Sequence, residues 1–206
     1  MTFPDTKYPE IGPFFDAYAE RLAAAAASVD RGRLAAAAAL LDAAYQRNAA
    51  VFICGNGGSA AIANTFVCDH AKLVQTDTDL TPRVISLSAN VPMISAIAND
   101  LSYDDVFLYQ LRTTAVRGDL VVCISASGDS ENVVRAATWA RANGVEVIAF
   151  TGFSGGRMAG LADAPVHVDA DNYGVIEDMH QSLMHVLAQY IRQTRMSEAL
   201  IAERKF

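Results

Sequence analysis

Apolar and polar positions fall into two regimes along this chain. From about Ile11 to Arg47 the apolar residues recur at helical spacing, broken near Ser28-Val-Asp-Arg-Gly32, which predicts two antiparallel helices joined by a short turn. Beyond that point short continuous apolar runs alternate with helical stretches: AVFIC (50–54), RVISL (83–87), LVVCIS (120–125), VEVIAFT (145–151) and APVHV (164–168). Unbroken, β-branched runs belong to strands buried on both faces, so the alternation predicts a parallel sheet covered by helices. The intervening helices are expected at about Ala60–Lys72, Pro92–Asn99, Val106–Val116, Glu131–Asn143 and Val175–Met196, the last closing the domain. Residues 1–48 read as helices packing on the core or on another subunit, and residues 49–206 as the sheet-containing unit.

Two turns rich in glycine and serine each follow a strand and open a helix: CGNGGSA, Cys54 to Ala60, and ISASGDSEN, Ile124 to Asn132. In a doubly wound sheet both lie at the carboxyl edge, where ligands bind. Free N–H groups at a helix start, glycines that admit close approach and serine hydroxyls together make a phosphate cradle that needs no lysine. The donors expected are the backbone at Gly57 and Gly58 with the Ser59 hydroxyl, and Ser125, Ser127 and Ser130. The blander reading makes Ser59, and Asp129 or Ser130, simple helix caps. Two such turns on one edge favour the ligand.

The first turn also fits G-x-G-x-x-A, which invites a dinucleotide. That fold needs an acidic residue at the end of the next strand, and here the strand ends Leu87-Ser88-Ala89-Asn90, with Asp77 and Asp79 falling before it. No Gly-Lys-Ser/Thr follows either turn, so a Walker A loop is absent as well. No nucleotide cofactor is expected.

Composition narrows the partners. Sixteen Lys+Arg against 23 Asp+Glu give a net charge of −7, with no basic surplus for nucleic acid. No apolar run approaches a membrane span, and MTFPDTKYPE lacks the features of a secretory signal. Cys54, Cys68 and Cys123 are odd in number and form no C-x-x-C pair, so they read as reduced thiols of a cytoplasmic protein.

Taken together, GNGGSAA, AND (98–100), ISASGDSENVVRA and TGFSGGRMAGLAD resemble the sugar isomerase (SIS) domain family, and the resemblance runs from the N-terminal helices to the last long helix. It implies an α/β three-layer fold, a five-stranded parallel sheet flanked by helices in the flavodoxin-like manner with an N-terminal helical hairpin. It also implies a homotetramer with sites at subunit interfaces. Family members hold a sugar phosphate with the serines matching Ser59, Ser125, Ser127 and Ser130, and touch the sugar with residues matching Asn56 and Asp100. One threonine usual in the second turn is Ala126 here.

The chemistry implied is aldose–ketose isomerisation of a sugar phosphate through an enediol, with sedoheptulose 7-phosphate giving a heptose 7-phosphate. A histidine and a glutamate on the helix after GNGGS, then a glutamine and a histidine on the last helix, form the family's site, and in some members hold zinc. Those positions are Thr65, Asp69, Glu177 and His185 in this chain, so only the last is unchanged. The resemblance thus implies Asp69 and His185 as the acid–base pair and Glu177 beside the substrate. A zinc ion held by Asp69, Glu177 and His185 is the metal reading, weakened by Thr65 in place of a ligand. His70 and Lys72 read as a solvated helix face, and His180 as structural. A non-catalytic SIS protein that binds sugar phosphate and acts through a protein partner, as some tetrameric relatives do with a replication initiator, is the alternative.

Overall fold

The computed structural model describes residues 2–206. Its chain runs α1 (Ile11–Ser28), α2 (Arg31–Gln46), β1 (Ala50–Cys54), α3 (Gly58–Val67), β2 (Arg83–Ser86), α4 (Val91–Asp100), α5 (Val106–Thr114), β3 (Leu120–Ser125), α6 (Glu131–Ala142), β4 (Glu146–Thr151), β5 (Ala164–His167), α7 (Tyr173–Gln193) and α8 (Glu198–Glu203). The helical hairpin forms as expected. Asp30 ends its turn by accepting a hydrogen bond from the Arg33 backbone N–H, a helix cap.

All five strands pair in parallel, in the order β2-β1-β3-β4-β5. This order places a topological switch point between β1 and β3, where successive connections leave on opposite faces and open a crevice at the carboxyl edge. Along β3, Leu120, Val122 and Ile124 enter one core with α2, α3 and α7, while Val121 and Cys123 enter the other with α5 and α6. Period-two alternation between two apolar layers explains why the central strands read as unbroken apolar runs. Edge strand β2 is half exposed and mixed in character, RVIS.

Two expectations need correction. The predicted helix over Ala60–Lys72 begins at Gly58 and passes into a π-helical turn at Cys68–Leu73, where one extra residue per turn is accommodated. The long helix ends at Gln193, and α8 follows it, so it does not close the chain. Arg192 lies in the last turn of α7. Although a charged residue, it is almost wholly buried, held by Asp77 (2.9 Å) and the Thr76 carbonyl (3.0 Å), with Phe206 stacked over its guanidinium. Among the described residues no helix is long and apolar enough to cross a membrane.

Candidate active site

At the switch point the two glycine- and serine-rich turns face one another across a cavity of about 210 Å³, lined by Asn56, Gly57, Gly58, Ser59, Ser125, Ser127, Ser130, Tyr173 and Glu177. Helices α3 and α6 both begin here, so their unpaired first-turn N–H groups and dipoles converge on one volume. Gly57 takes φ +53° at the start of α3, a conformation that lets the backbone present those amides. Neither turn is a plain cap. Ser130 occupies the cap position of α6 without making a cap hydrogen bond, and its Oγ instead lies 3.4 Å from Ser125 Oγ. Asp129 is engaged by the Arg157 side chain at 3.0 Å.

The turns are locked at a fixed separation by amides. Asn56 and Asn132 exchange reciprocal hydrogen bonds of 2.8 and 3.0 Å, and the Tyr103 hydroxyl donates to Asn56 Oδ1 at 2.9 Å. Asn56 is therefore a strut between the turns as well as a wall of the cavity. Asn132, Tyr103 and Tyr173 are site residues that the sequence did not single out. Asp100 is exposed at the end of α4, its carboxylate paired with the Asn99 amide at 2.7 Å, and lies outside the residues lining the cavity.

Glu177 is the charged side chain lining the cradle, and its carboxylate lies against Gly58, where an added Cβ would meet Oε2 at 2.3 Å. Two turns further along α7, His185 makes a 2.5 Å contact from Nδ1 to Asp69 Oδ2, and Gln181 Nε2 lies 2.8 Å from His185 Nε2. A carboxylate only accepts, so Nδ1 carries the hydrogen, and in the neutral ring the Nε2 lone pair accepts from the Gln181 amide. The Asp69 side chain is 18% exposed and that of His185 42%, so the imidazole is the more solvent-reachable member of the pair. Thr65 donates to the Ala61 carbonyl one turn back in α3, at 3.1 Å.

Glu177 and His185 are eight residues apart on one helix, about 12 Å along its axis. One chain therefore cannot bring Asp69, Glu177 and His185 to a single ion, and among the described residues no three metal-ligating side chains gather. The donor set of one chain does not fit zinc.

His70 overturns the solvated-face expectation. It is fully buried, its Nδ1 2.7 Å from the Tyr45 hydroxyl and its Nε2 3.3 Å from the Met184 carbonyl. Helical spacing explains this inward placement, because His70 follows the buried Phe66 by four residues and continues the stripe that α3 turns to the core. Lys72 is exposed, as expected. His180 is structural, buried with Nε2 on the Thr151 carbonyl at 3.2 Å.

Burial holds both rings neutral, pushing His70 down to about 3 and His180 to about 4 from 6.5. The unfolded chain protonates both near pH 6.5, so below that pH it binds up to two more protons than the native state. Stability is thus expected to fall as pH drops from about 6.5 towards 4, by up to about 2 to 3 kcal/mol per pH unit. Urea unfolding at stepped pH checks this, and a flat profile over that interval would contradict it.

A family profile described as the SIS domain matches residues 14–152. The chain is 41% identical over 141 residues to a probable phosphoheptose isomerase of Thermoplasma acidophilum, covering 68% of this chain and 77% of that one. It is 40% identical over 166 residues to the phosphoheptose isomerase of Mycobacterium tuberculosis, covering 79% and 84%. Among solved structures, phosphoheptose isomerases from Francisella tularensis (TM-score 0.81, 28% identity, 89% of this chain and 96% of that one) and Neisseria gonorrhoeae (0.78, 29%, 88% and 97%) share the fold. With its switch-point cradle and paired turns in place, this chain belongs to the SIS domain family, alongside the phosphoheptose isomerases.

Proposed function

We propose that this protein interconverts a ketose phosphate and an aldose phosphate, sedoheptulose 7-phosphate and D-glycero-D-manno-heptose 7-phosphate, through an enediol. The observation that carries the reading is the pairing, within one fold, of a lysine-free phosphate cradle with the Asp69–His185 hydrogen bond. The relatives' shared name supports the heptose phosphate as substrate. In the forward step His185 Nε2 removes a proton from the carbon beside the carbonyl, Asp69 stabilises the resulting imidazolium, and the same nitrogen returns the proton to the neighbouring carbon. Gln181, whose amide can turn its oxygen towards a protonated Nε2, suits both states of the ring.

The cradle and the dyad stand about two helical turns apart on α7. We therefore assign the complete site to a homo-oligomer, in which a second copy of the chain brings its dyad towards this cradle and the cradle's Glu177 supplies the ionisable group for the oxygen-borne proton. Two buried thiols, Cys54 and Cys123, and one exposed thiol, Cys68, all free, fit a cytoplasmic setting.

Incubation with sedoheptulose 7-phosphate should give the aldose phosphate, detected by its anomeric proton. Absence of product from this and other ketose phosphates would end the isomerase reading and leave the sugar-phosphate-binding alternative. Ser127→Ala removes one cradle hydroxyl and is expected to weaken sugar-phosphate binding about tenfold. Unchanged affinity by calorimetry would argue against the cradle.

A further inference from the structure

Three residues outside the cradle and the dyad converge on the backbone that carries the dyad. Within the π-helical turn Cys68–Leu73 the consecutive residues Asp69 and His70 serve different tasks, the first towards His185 and the second into the core. The His70 ring lies flat on Phe66 at 3.7 Å between centroids and 6° between planes. Because the Met184 carbonyl can only accept, Nε2 carries the His70 hydrogen, so Nδ1 accepts from the Tyr45 hydroxyl. The chain of contacts runs from α2 through Tyr45, across His70, to α7 at Met184. It meets the backbone one residue away from each member of the dyad, at His70 beside Asp69 and at Met184 beside His185.

We propose that the Tyr45–His70 pair is a positioning device, which fixes the π turn against α7 and so sets the distance between Asp69 and His185. The pair touches no substrate and lies within the core. Its consequence for the rate rests on the isomerase reading, whereas its consequence for dyad geometry does not.

A π turn costs its helix the regular hydrogen-bond register, and such turns persist where a specific contact holds them. A buried ring with both nitrogens engaged supplies that contact, since leaving either partner unpaired in the core carries a desolvation penalty. A hydroxyl that only stabilised the fold could sit anywhere along α2. Here it reaches the one ring that shares a turn with Asp69.

Tyr45→Phe removes one oxygen and preserves the aromatic volume, and His70→Leu removes the ring's polar atoms. The ring-nitrogen shifts of His185, read through its carbon-bound ring protons by long-range NMR correlation, report whether Nδ1 still carries the hydrogen towards Asp69. In both variants these shifts are expected to move towards a mixture of the two tautomers, although neither Asp69 nor His185 is altered. His70→Gln, whose amide can meet both Tyr45 and the Met184 carbonyl, is expected to restore most of the native signature. With substrate, kcat should fall on the order of tenfold in Tyr45→Phe while KM stays within about twofold, because the cradle is untouched. Native His185 shifts in folded Tyr45→Phe and His70→Leu would overturn the proposal. If no isomerisation is found even in the unaltered protein, the nitrogen shifts still decide the positioning role.

Discussion

Asp69→Asn is expected to lower the isomerisation rate by about two to four orders of magnitude while leaving sugar-phosphate affinity within about twofold. The asparagine amide can donate as well as accept, so it permits the His185 tautomer that carries its hydrogen on Nε2, the nitrogen that must be free to take the carbon proton. It also removes the negative charge that stabilises the imidazolium formed during transfer. The cradle, built from backbone amides and the hydroxyls of Ser59, Ser125, Ser127 and Ser130, is left unchanged. Steady-state kinetics with binding measured separately checks both halves. A rate within about threefold of the native value would remove Asp69 from the chemistry.

Gly128→Ala is expected to cost the fold about 3 kcal/mol or more and, with it, sugar-phosphate binding. Gly128 holds φ +70° in the middle of the second turn, and an added Cβ would lie 2.0 Å from the Gly155 carbonyl oxygen and 2.5 Å from its carbon. Both are backbone atoms, so no side-chain rotation relieves the clash. The same contact ties the turn to the next loop, since the Met158 N–H donates to the Gly128 carbonyl at 3.0 Å. Pushing the loops apart therefore moves Ser125, Ser127 and Ser130 together. For a chain of this size such a loss lowers Tm by about 10 °C, measurable by calorimetry. Gly160→Ala serves as the control, because nothing lies within 4 Å of its added Cβ. Equal melting temperatures for the two variants would contradict this account of the turn.

Much of the architecture was legible because a parallel sheet covered on both faces writes itself as apolar runs separated by helical periods. AVFIC and LVVCIS are the central strands and every residue in them is buried. The cradle was legible for a related reason: residues that suit close backbone approach and residues that donate hydrogen bonds sit directly after those strands. The strand order follows no local rule, so the switch point emerged only from the pairing of β1 with both β2 and β3.

Long-range partners were the part that local reading could not reach. His70 sits in an apparently ordinary stretch, CDHAKL, and its burial depends on Tyr45, 25 residues earlier, and Met184, 114 later. Its place four residues after Phe66 continues the buried stripe of α3, but the partners that satisfy its ring nitrogens there come from α2 and α7. Asp69 and His185, 116 residues apart, came together through family resemblance rather than spacing. The zinc reading depends on assembly. Residues at matching family positions suggested one cluster, but two helical turns between Glu177 and His185 separate them within a chain.

Proton transfer by the Asp69–His185 pair is tested most directly by running the reaction on sedoheptulose 7-phosphate in deuterated water and reading the aldose product by NMR. An enediol formed at a solvent-reachable His185 predicts deuterium at carbon 2 of the aldose, with exchange abolished in Asp69→Asn. Product formed with hydrogen retained at carbon 2, or exchange undiminished in that variant, would contradict it.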